Sequence, residues 1–157
     1  MSGDAGPDRL DGTDGNDTLR GLGGSDTLYG HGGNDNLWGG DGVDLIFGGA
    51  GDDGLSGGAG ADRLDGGAGN DTMTGGVGPD AFVIRSGRNV VTDFVAGDDA
   101  IMFARSHWGG PGQTAAGILA LAAVDGGDVV FTFAADTALR IAGLTDIAGL
   151  APWIEVI

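Results

Sequence analysis

The 157-residue sequence contains no cysteine, no lysine and a single glutamate, Glu155. Without cysteine there is neither a disulfide framework nor a thiolate metal site. The seven basic residues are all arginine and face 23 acidic ones, a formal charge of −16. So few cations exclude a nucleic-acid partner, because a phosphate backbone needs Lys and Arg. No run approaches the ~20 apolar residues of a membrane span. The start, Met1-Ser2-Gly3-Asp4, lacks the basic and apolar regions of a cleaved secretory signal. Helices prefer Glu to Asp and lose roughly 1 kcal/mol per glycine. With 36 glycines and 22 aspartates, a mainly helical fold is excluded. What is left is an acidic Gly/Asp-rich chain of about one domain, whose obvious counterpart is a hard cation.

Glycine and aspartate recur with a nine-residue period from residue 3 to 83. Position 1 is Gly3, Gly12, Gly21, Gly30, Gly39, Gly48, Gly57, Gly66 and Gly75. Position 4 is Gly6, Gly15, Gly24, Gly33, Gly42, Gly51, Gly60, Gly69 and Gly78. Position 6 is Asp8, Asp17, Asp26, Asp35, Asp44, Asp53, Asp62, Asp71 and Asp80. Position 8 is always large and apolar: Leu10, Leu19, Leu28, Leu37, Ile46, Leu55, Leu64, Met73 and Phe82. The nine copies contain no insertion.

Two glycines within four residues permit a tight turn with φ > 0. The three residues after each aspartate, such as Asn36-Leu37-Trp38, predict a short strand with its middle side chain on one face. Turn plus strand is half a coil, so two copies return the chain to its starting side. The expected fold is all-β: a right-handed parallel β-roll with two facing sheets and position 8 stacked between them. Nine apolar side chains make a thin core, and the array carries 15 aspartates against three arginines. Without a counter-ion this stretch is expected to stay unfolded, as low hydrophobicity with high charge favours disorder. The invariant apolar position 8 argues against a mere disordered linker once charge is neutralised.

Stacking places Asp n beside Asp n+18. One edge then carries Asp8, Asp26, Asp44, Asp62 and Asp80; the other carries Asp17, Asp35, Asp53 and Asp71. Two carboxylates converge in each gap with glycine-rich loops whose carbonyls are unhindered. An all-oxygen site of roughly six to eight ligands suits Ca²⁺, whereas zinc would want His or Cys. Counting n/n+18 pairs gives four gaps on one edge and three on the other, about seven sites in all.

Gly57-Gly58-Ala59-Gly60-Ala61-Asp62-Arg63-Leu64-Asp65 and Gly66-Gly67-Ala68-Gly69-Asn70-Asp71-Thr72-Met73-Thr74 match a G-G-x-G-x-D-x-U-x nonapeptide. The chain resembles the RTX (repeats-in-toxin, haemolysin-type) calcium-binding β-roll of secreted bacterial metalloproteases, lipases and alginate epimerases. The resemblance implies Ca²⁺ held by the position-6 aspartates together with backbone carbonyls of positions 1 to 4. Among these are Gly21, Gly24, Gly30, Gly33, Gly39, Gly42, Gly48, Gly51, Gly57, Gly60, Gly66, Gly69, Gly75 and Gly78. It also implies a secreted, extracellular protein exported by type I secretion machinery. Departures lie at the start: position 2 is Asp4, Thr13, Leu22 and His31 in the first four copies, which predicts looser early turns.

Residues 84–157 show ordinary β patterning, with strands expected at Asn89–Phe94, Ala100–Phe103, Ile118–Val124, Asp128–Phe133 and Thr137–Leu144. The last two form a hairpin through Ala134-Ala135-Asp136-Thr137. These strands are expected to continue the roll and close its last coil. Asp93-Phe94-Val95-Ala96-Gly97-Asp98-Asp99-Ala100-Ile101 resembles a segment that follows the repeats in RTX metalloproteases, and Asp93 and Asp99 fit either one more ion or turn capping. The apolar end, Glu155-Val156-Ile157, fits either a C-terminal secretion signal or a terminal edge strand.

Catalysis is not expected. The two histidines are His31, in a repeat, and His107, beside Trp108; no H-E-x-x-H helix and no G-x-S-x-G occurs. Position 9 carries Tyr29, Trp38 and Phe47 in consecutive copies. Tyr29 and Phe47, eighteen apart, fall on one sheet and Trp38 on the other. They suit cross-strand stacking or an interaction surface for polysaccharide or an upstream catalytic domain. The leading expectation is a non-enzymatic calcium-binding module, with repeats at 3–83 and a β cap at 84–157.

Overall fold

The computed structural model describes residues 1–104, 114–134 and 137–157. His107, Trp108 and the Ala135-Asp136 turn lie outside the described residues. Eight strands lie wholly within the repeats: β1 (Arg9–Asp11), β2 (Thr18–Gly23), β3 (Thr27–Gly32), β4 (Asn36–Asp41), β5 (Leu45–Ala50), β6 (Gly54–Ala59), β7 (Arg63–Ala68) and β8 (Thr72–Val77). They are followed by β9 (Ala81–Ile84), which begins in the last copy, and by β10 (Arg88–Val91), β11 (Ala100–Phe103), α1 (Ala115–Leu119), β12 (Ala122–Asp125), β13 (Asp128–Ala134), β14 (Thr137–Ile141) and β15 (Ile154–Val156).

Odd and even strands of the repeats separate into two sheets, ordered β1-β3-β5-β7-β9-β11-β15 and β2-β4-β6-β8-β10-β14-β13-β12. Within the array every pairing is parallel and joins residue n to n+18, as in Leu19↔Leu37 and Ile46↔Leu64. The chain is therefore a parallel β-solenoid of two nonapeptides per coil. Position 8 supplies the column between the sheets, and Leu28, Leu37, Ile46, Leu64, Met73 and Phe82 are wholly buried. At ~25 cal/mol per Å² of apolar surface, each such side chain contributes on the order of 2 kcal/mol, an upper estimate against a compact denatured state.

Most repeat strands are six residues long, not three. They run from position 7 through position 3 of the next copy, as in Thr18–Gly23. The two glycines permit this, because extended backbone continues through position 1 and turns only at positions 2 and 4, where φ is positive (Gly40 +119°, Gly42 +139°). Leu22 (φ +84°) and His31 (φ +76°) take the same role without being glycine, a strained conformation for a side-chain-bearing residue. The irregularity expected of the early turns is thus a local backbone cost, and the stacking register continues through them.

Beyond the repeats both sheets go on. β10 pairs in parallel with β8 and β14, and β11 with β9 and β15. Phe103, Phe131, Leu139 and Ile141 extend the same core. β12, β13 and β14 turn antiparallel and end one sheet as a hairpin meander. The expected strand Ile118–Val124 is corrected: Ile118 sits in α1 and the strand begins at Ala122. Thr114 caps that helix by accepting the Gly117 N–H at 3.2 Å, and two alanines, the best helix formers, open it. β10 and β14 are also shorter than the expected Asn89–Phe94 and Thr137–Leu144. The C-terminal residues Ile154–Val156 form an edge strand on β11.

Candidate metal centre

At each edge of the solenoid the chain leaves one sheet and enters the other, and position 6 sits at that corner. The aspartates form two ladders. Each backbone N–H donates to Oδ1 of the aspartate one coil on: Asp8 to Asp26 (2.8 Å), Asp26 to Asp44 (2.8 Å), Asp44 to Asp62 (2.8 Å) and Asp62 to Asp80 (2.9 Å) on one edge. On the other, Asp17 donates to Asp35 (2.7 Å), Asp35 to Asp53 (2.8 Å) and Asp53 to Asp71 (3.1 Å). The two edges hold the residues that the eighteen-residue spacing assigns to them.

The second carboxylate oxygen behaves differently. Oδ2 of Asp26, Asp35, Asp44, Asp53, Asp62 and Asp71 is buried and has no hydrogen-bond partner. A buried polar atom left unpaired costs ~1–3 kcal/mol, and more when charged. Three on each edge, these oxygens leave the corners short of positive charge.

The position-1 glycines show what surrounds the position-6 carboxylates. A Cβ placed on Gly12 would meet the Gly30 carbonyl oxygen at 2.8 Å and Asp17 Oδ2 at 2.9 Å. The same pair recurs for Gly3 (Asp8 and Gly21), Gly21 (Asp26 and Gly39), Gly30 (Asp35 and Gly48), Gly39 (Asp44 and Gly57), Gly48 (Asp53 and Gly66) and Gly57 (Asp62 and Gly75). Seven gaps thus bring a carboxylate oxygen against a position-1 carbonyl of the next coil. Paired positions between strands run 7, 8, 9, then 2 and 3, leaving position 1 without a Cα partner, although the N–H groups of Gly3 and Gly12 donate to the Arg20 and Tyr29 carbonyls one coil on (2.8 Å each).

Position-4 carbonyls are placed otherwise. The oxygens of Gly24, Gly33, Gly42, Gly51, Gly60 and Gly69 lie against Cα of the position-4 glycine one coil on, Gly78 being the last repeat residue in this contact. Any Cβ there would strike that carbonyl. Among the described residues no three His, Cys, Asp or Glu side chains converge as a metal cluster. Any further donors to an ion in a gap would have to be backbone oxygens. The donor set is hard, anionic and all-oxygen, and it fits Ca²⁺.

Burial pushes five of the position-6 carboxyls upward. Asp53 and Asp62 are raised to about 6 and Asp71 to about 7, chiefly by desolvation; the N–H of the preceding ladder aspartate opposes this, and neighbouring carboxylates add to it. Asp80 is also raised to about 6 and Asp44 is raised, again mainly by desolvation. Asp17 departs from the pattern. Its Oδ2 accepts from the Thr13 hydroxyl (2.8 Å) and N–H (2.6 Å), which hold its carboxyl below the usual range. Asp8 Oδ2 similarly accepts from the Asp4 N–H at 2.7 Å.

The ladders run one step further than the nine repeats. The Asp71 N–H donates to Asn89 Oδ1 (3.0 Å) and the Asp80 N–H to Asp99 Oδ1 (2.9 Å). Both terminal residues are satisfied by protein: Asn89 Nδ2 donates to the Ser86 carbonyl (3.0 Å), and Asp99 Oδ2 accepts the Val95 N–H (2.8 Å). Asp93 accepts the N–H groups of Gly75 (2.9 Å) and Gly76 (2.8 Å). Asp93 and Asp99 thus cap turns. Sequence reasoning missed Asn89, although it stands eighteen residues after Asp71. It also missed a third ladder, at position 5, where N–H groups of Asn34, Asp52, Asn70 and Arg88 donate to side-chain oxygens of Asn16, Asn34, Asp52 and Asn70 one coil back.

The family described as RTX calcium-binding nonapeptide repeat (4 copies) matches residues 2–37, 21–55 and 52–81, together just over half of the chain. The chain belongs to the RTX calcium-binding repeat family. What the match covers is a structural calcium-binding module and not a catalytic one. No curated protein sequence matches the chain. Among solved structures, the extracellular lipase LipA from Serratia marcescens is similar at 18% identity, over 99% of this RTX chain and 39% of the lipase, with a TM-score of 0.51. That similarity shows the fold. The AlgE6R3 subunit of the Azotobacter vinelandii mannuronan C5-epimerase aligns at 27% identity over 99% of this chain and 80% of its own, with a TM-score of 0.31. The chain spans well under half the length of the lipase. No helix of the described residues is long and apolar enough to cross a membrane.

Proposed function

We propose that this RTX module binds about seven Ca²⁺ ions between its coils and folds as it does so. The observation that carries the reading is the row of buried, partnerless Oδ2 atoms, five of which (Asp26, Asp35, Asp44, Asp53 and Asp62) share their gap with a position-1 carbonyl. Asp8, Asp26, Asp44, Asp62 and Asp80 would hold ions on one edge, and Asp17, Asp35, Asp53 and Asp71 on the other. Gly21, Gly30, Gly39, Gly48, Gly57, Gly66 and Gly75 would offer carbonyl oxygens. Bound calcium supplies the positive charge that the paired carboxylates lack. The chain's own contribution is the frame: Oδ1 fixes the coil spacing, while glycine keeps the gap free of side chains.

Residues 3–83 serve as the ion-binding roll and 84–157 as its cap. With extracellular modules typically tuned to ~10⁻⁴–10⁻³ M calcium, the repeats would be unfolded at low cytosolic calcium and fold outside the cell. This suits passage through type I secretion machinery and a secreted, extracellular location. Far-UV circular dichroism of EGTA-treated protein, titrated with Ca²⁺ and separately with Mg²⁺, tests it. A cooperative gain of β signal with Ca²⁺ alone is expected. Full β signal before any calcium is added would overturn the folding switch.

A second reading is an interaction module in which calcium only stiffens the roll. It is favoured by the Tyr29 and Phe47 rings, which stack 5.0 Å apart at 9° on the outer face of one sheet, with Arg9 4.2 Å over Tyr29. Such a face suits a polysaccharide or an upstream catalytic domain.

A further inference from the structure

The outer face of β5 and β7, as far as the end of β9, carries a slot of about 340 Å³ lined by Phe47, Gly49, Asp65, Gly67, Ala68 and Arg85. Its origin is visible in the register. The position-2 column reads His31, Gly49, Gly67, and the Ala68↔Ser86 bridge sets Arg85 next in line. Two glycines between His31 and Arg85 remove the side chains from two successive coils. At ~4.8 Å per strand, the opening between those ends is on the order of 14 Å long.

One wall is the position-9 column, in which Phe47 follows Tyr29 and precedes Asp65. Phe47 is half-buried, stacked on Tyr29 on one side. At the far end Arg85 Nε and a terminal nitrogen each donate to Asp65 at 2.7 Å, a bidentate pair that buries the carboxylate and leaves the guanidinium partly exposed. The volume falls within the ~300–1,000 Å³ usual for small-ligand sites. An apolar ring face, an exposed backbone floor and a planar fork with donors to spare suit a ligand that is apolar on its ring faces and polar at its edges. The guanidinium is already matched by Asp65, and the array carries 15 aspartates against three arginines, so an anionic ligand gains nothing.

We propose that this slot binds one ring of a neutral polysaccharide, a hexopyranose lying over Gly49 and Gly67 with its C–H face against Phe47 and its hydroxyls on the Arg85–Asp65 fork. The inference rests on the interaction reading above and gives it a substrate class and a place.

The test uses the calcium-loaded full chain and follows amide chemical shifts while cellohexaose, maltohexaose, mannohexaose and an acidic hexagalacturonide are added in turn. At least one neutral hexasaccharide is expected to shift Gly49, Gly67 and Ala68. Phe47→Ala should weaken it about three- to tenfold, the worth of one ring stack. Arg85→Gln, which keeps the aromatic stack, should weaken it too, and Trp38→Ala on the opposite sheet should leave it unchanged. Should Phe47→Ala fail to fold with calcium, Arg85→Gln carries the decision. Absence of shifts with all neutral sugars, or a response to the galacturonide alone, overturns the proposal. If Tyr29→Ala abolishes binding while Arg85→Gln and Phe47→Ala do not, the slot falls and the broader interaction reading survives.

Discussion

Asp53 Oδ1 accepts the backbone N–H of Asp35, eighteen residues earlier, at 2.8 Å, while its Oδ2 is buried without a partner. One side chain thus does two jobs. Its first oxygen sets the coil spacing by protein alone, and its second faces the Gly66 carbonyl across a gap that needs positive charge.

Separating those jobs gives the first prediction. Asp53→Ala removes both, and because a middle aspartate is shared by two gaps, calorimetry should count two fewer calcium ions; the same holds for Asp44→Ala. Asp53→Asn keeps an acceptor for Asp35 and offers an N–H₂ toward Gly66. The calcium-free form should then gain ~1–3 kcal/mol, the cost of a buried unpaired group, while calcium binding falls. An unchanged stoichiometry in both alanine variants would sink the stacked-coil assignment.

Acid should substitute in part for calcium. Asp53, Asp62 and Asp80 are raised from 3.8 to about 6, and Asp71 to about 7, mainly by desolvation. Because the folded state holds these protons more tightly than the unfolded one, their contribution is complete below about 3.8. It is lost as pH rises through 6 to 7. In EGTA, β signal and thermal midpoint should therefore rise between pH 7.5 and pH 5, and the calcium midpoint should shift to higher concentration over the same interval. Flat or opposite behaviour would show that the ladder carboxylates do not titrate in this range.

Much of this was legible in the sequence, and the limits have physical causes. The eighteen-residue stacking, both aspartate ladders and the position-8 core follow from period alone, since a solenoid converts sequence distance into coil number. The longer strands were not legible, because glycine at position 1 permits both turn and extended backbone, and only the neighbouring coil selects between them. Asn89 and Asp99 lie where the repeat template ends. Asn89 keeps the spacing with another side chain, and Asp99 arrives nineteen residues after Asp80. The α1 helix was hidden because an apolar run such as Ile118–Val124 does not distinguish helix from strand by itself.

Position 1 offers a test that leaves every carboxylate in place. A Cβ on Gly57 would fall between Asp62 Oδ2 and the Gly75 carbonyl, and Gly57 is not among the residues with positive φ. Gly57→Ala should therefore block one gap by bulk and not by backbone strain. Calorimetry should lose one ion, and the calcium-loaded form should lose ~1–3 kcal/mol to overpacking. A variant that bound the wild-type complement would mean that the ion sits elsewhere in the corner.

The end of the second ladder makes the sharpest contrast. Asn89 occupies the next step after Asp71, and its Nδ2 donates to the Ser86 carbonyl at 3.0 Å. An amide can close the ladder without a cation, whereas a carboxylate there would set one of its oxygens against that carbonyl. Asn89→Asp keeps an acceptor for the Asp71 N–H and replaces the donor with a charged acceptor in a buried place. The calcium-free form should lose ~1–3 kcal/mol. The deficit should shrink when calcium is added, because the new carboxylate and Asp71 together reproduce the pairing of the interior gaps. Denaturant midpoints at threshold and at saturating calcium decide it: an equal loss in both would assign Asn89 a packing role, and a loss confined to threshold calcium would mark it as the residue that ends the metal-dependent part of the roll.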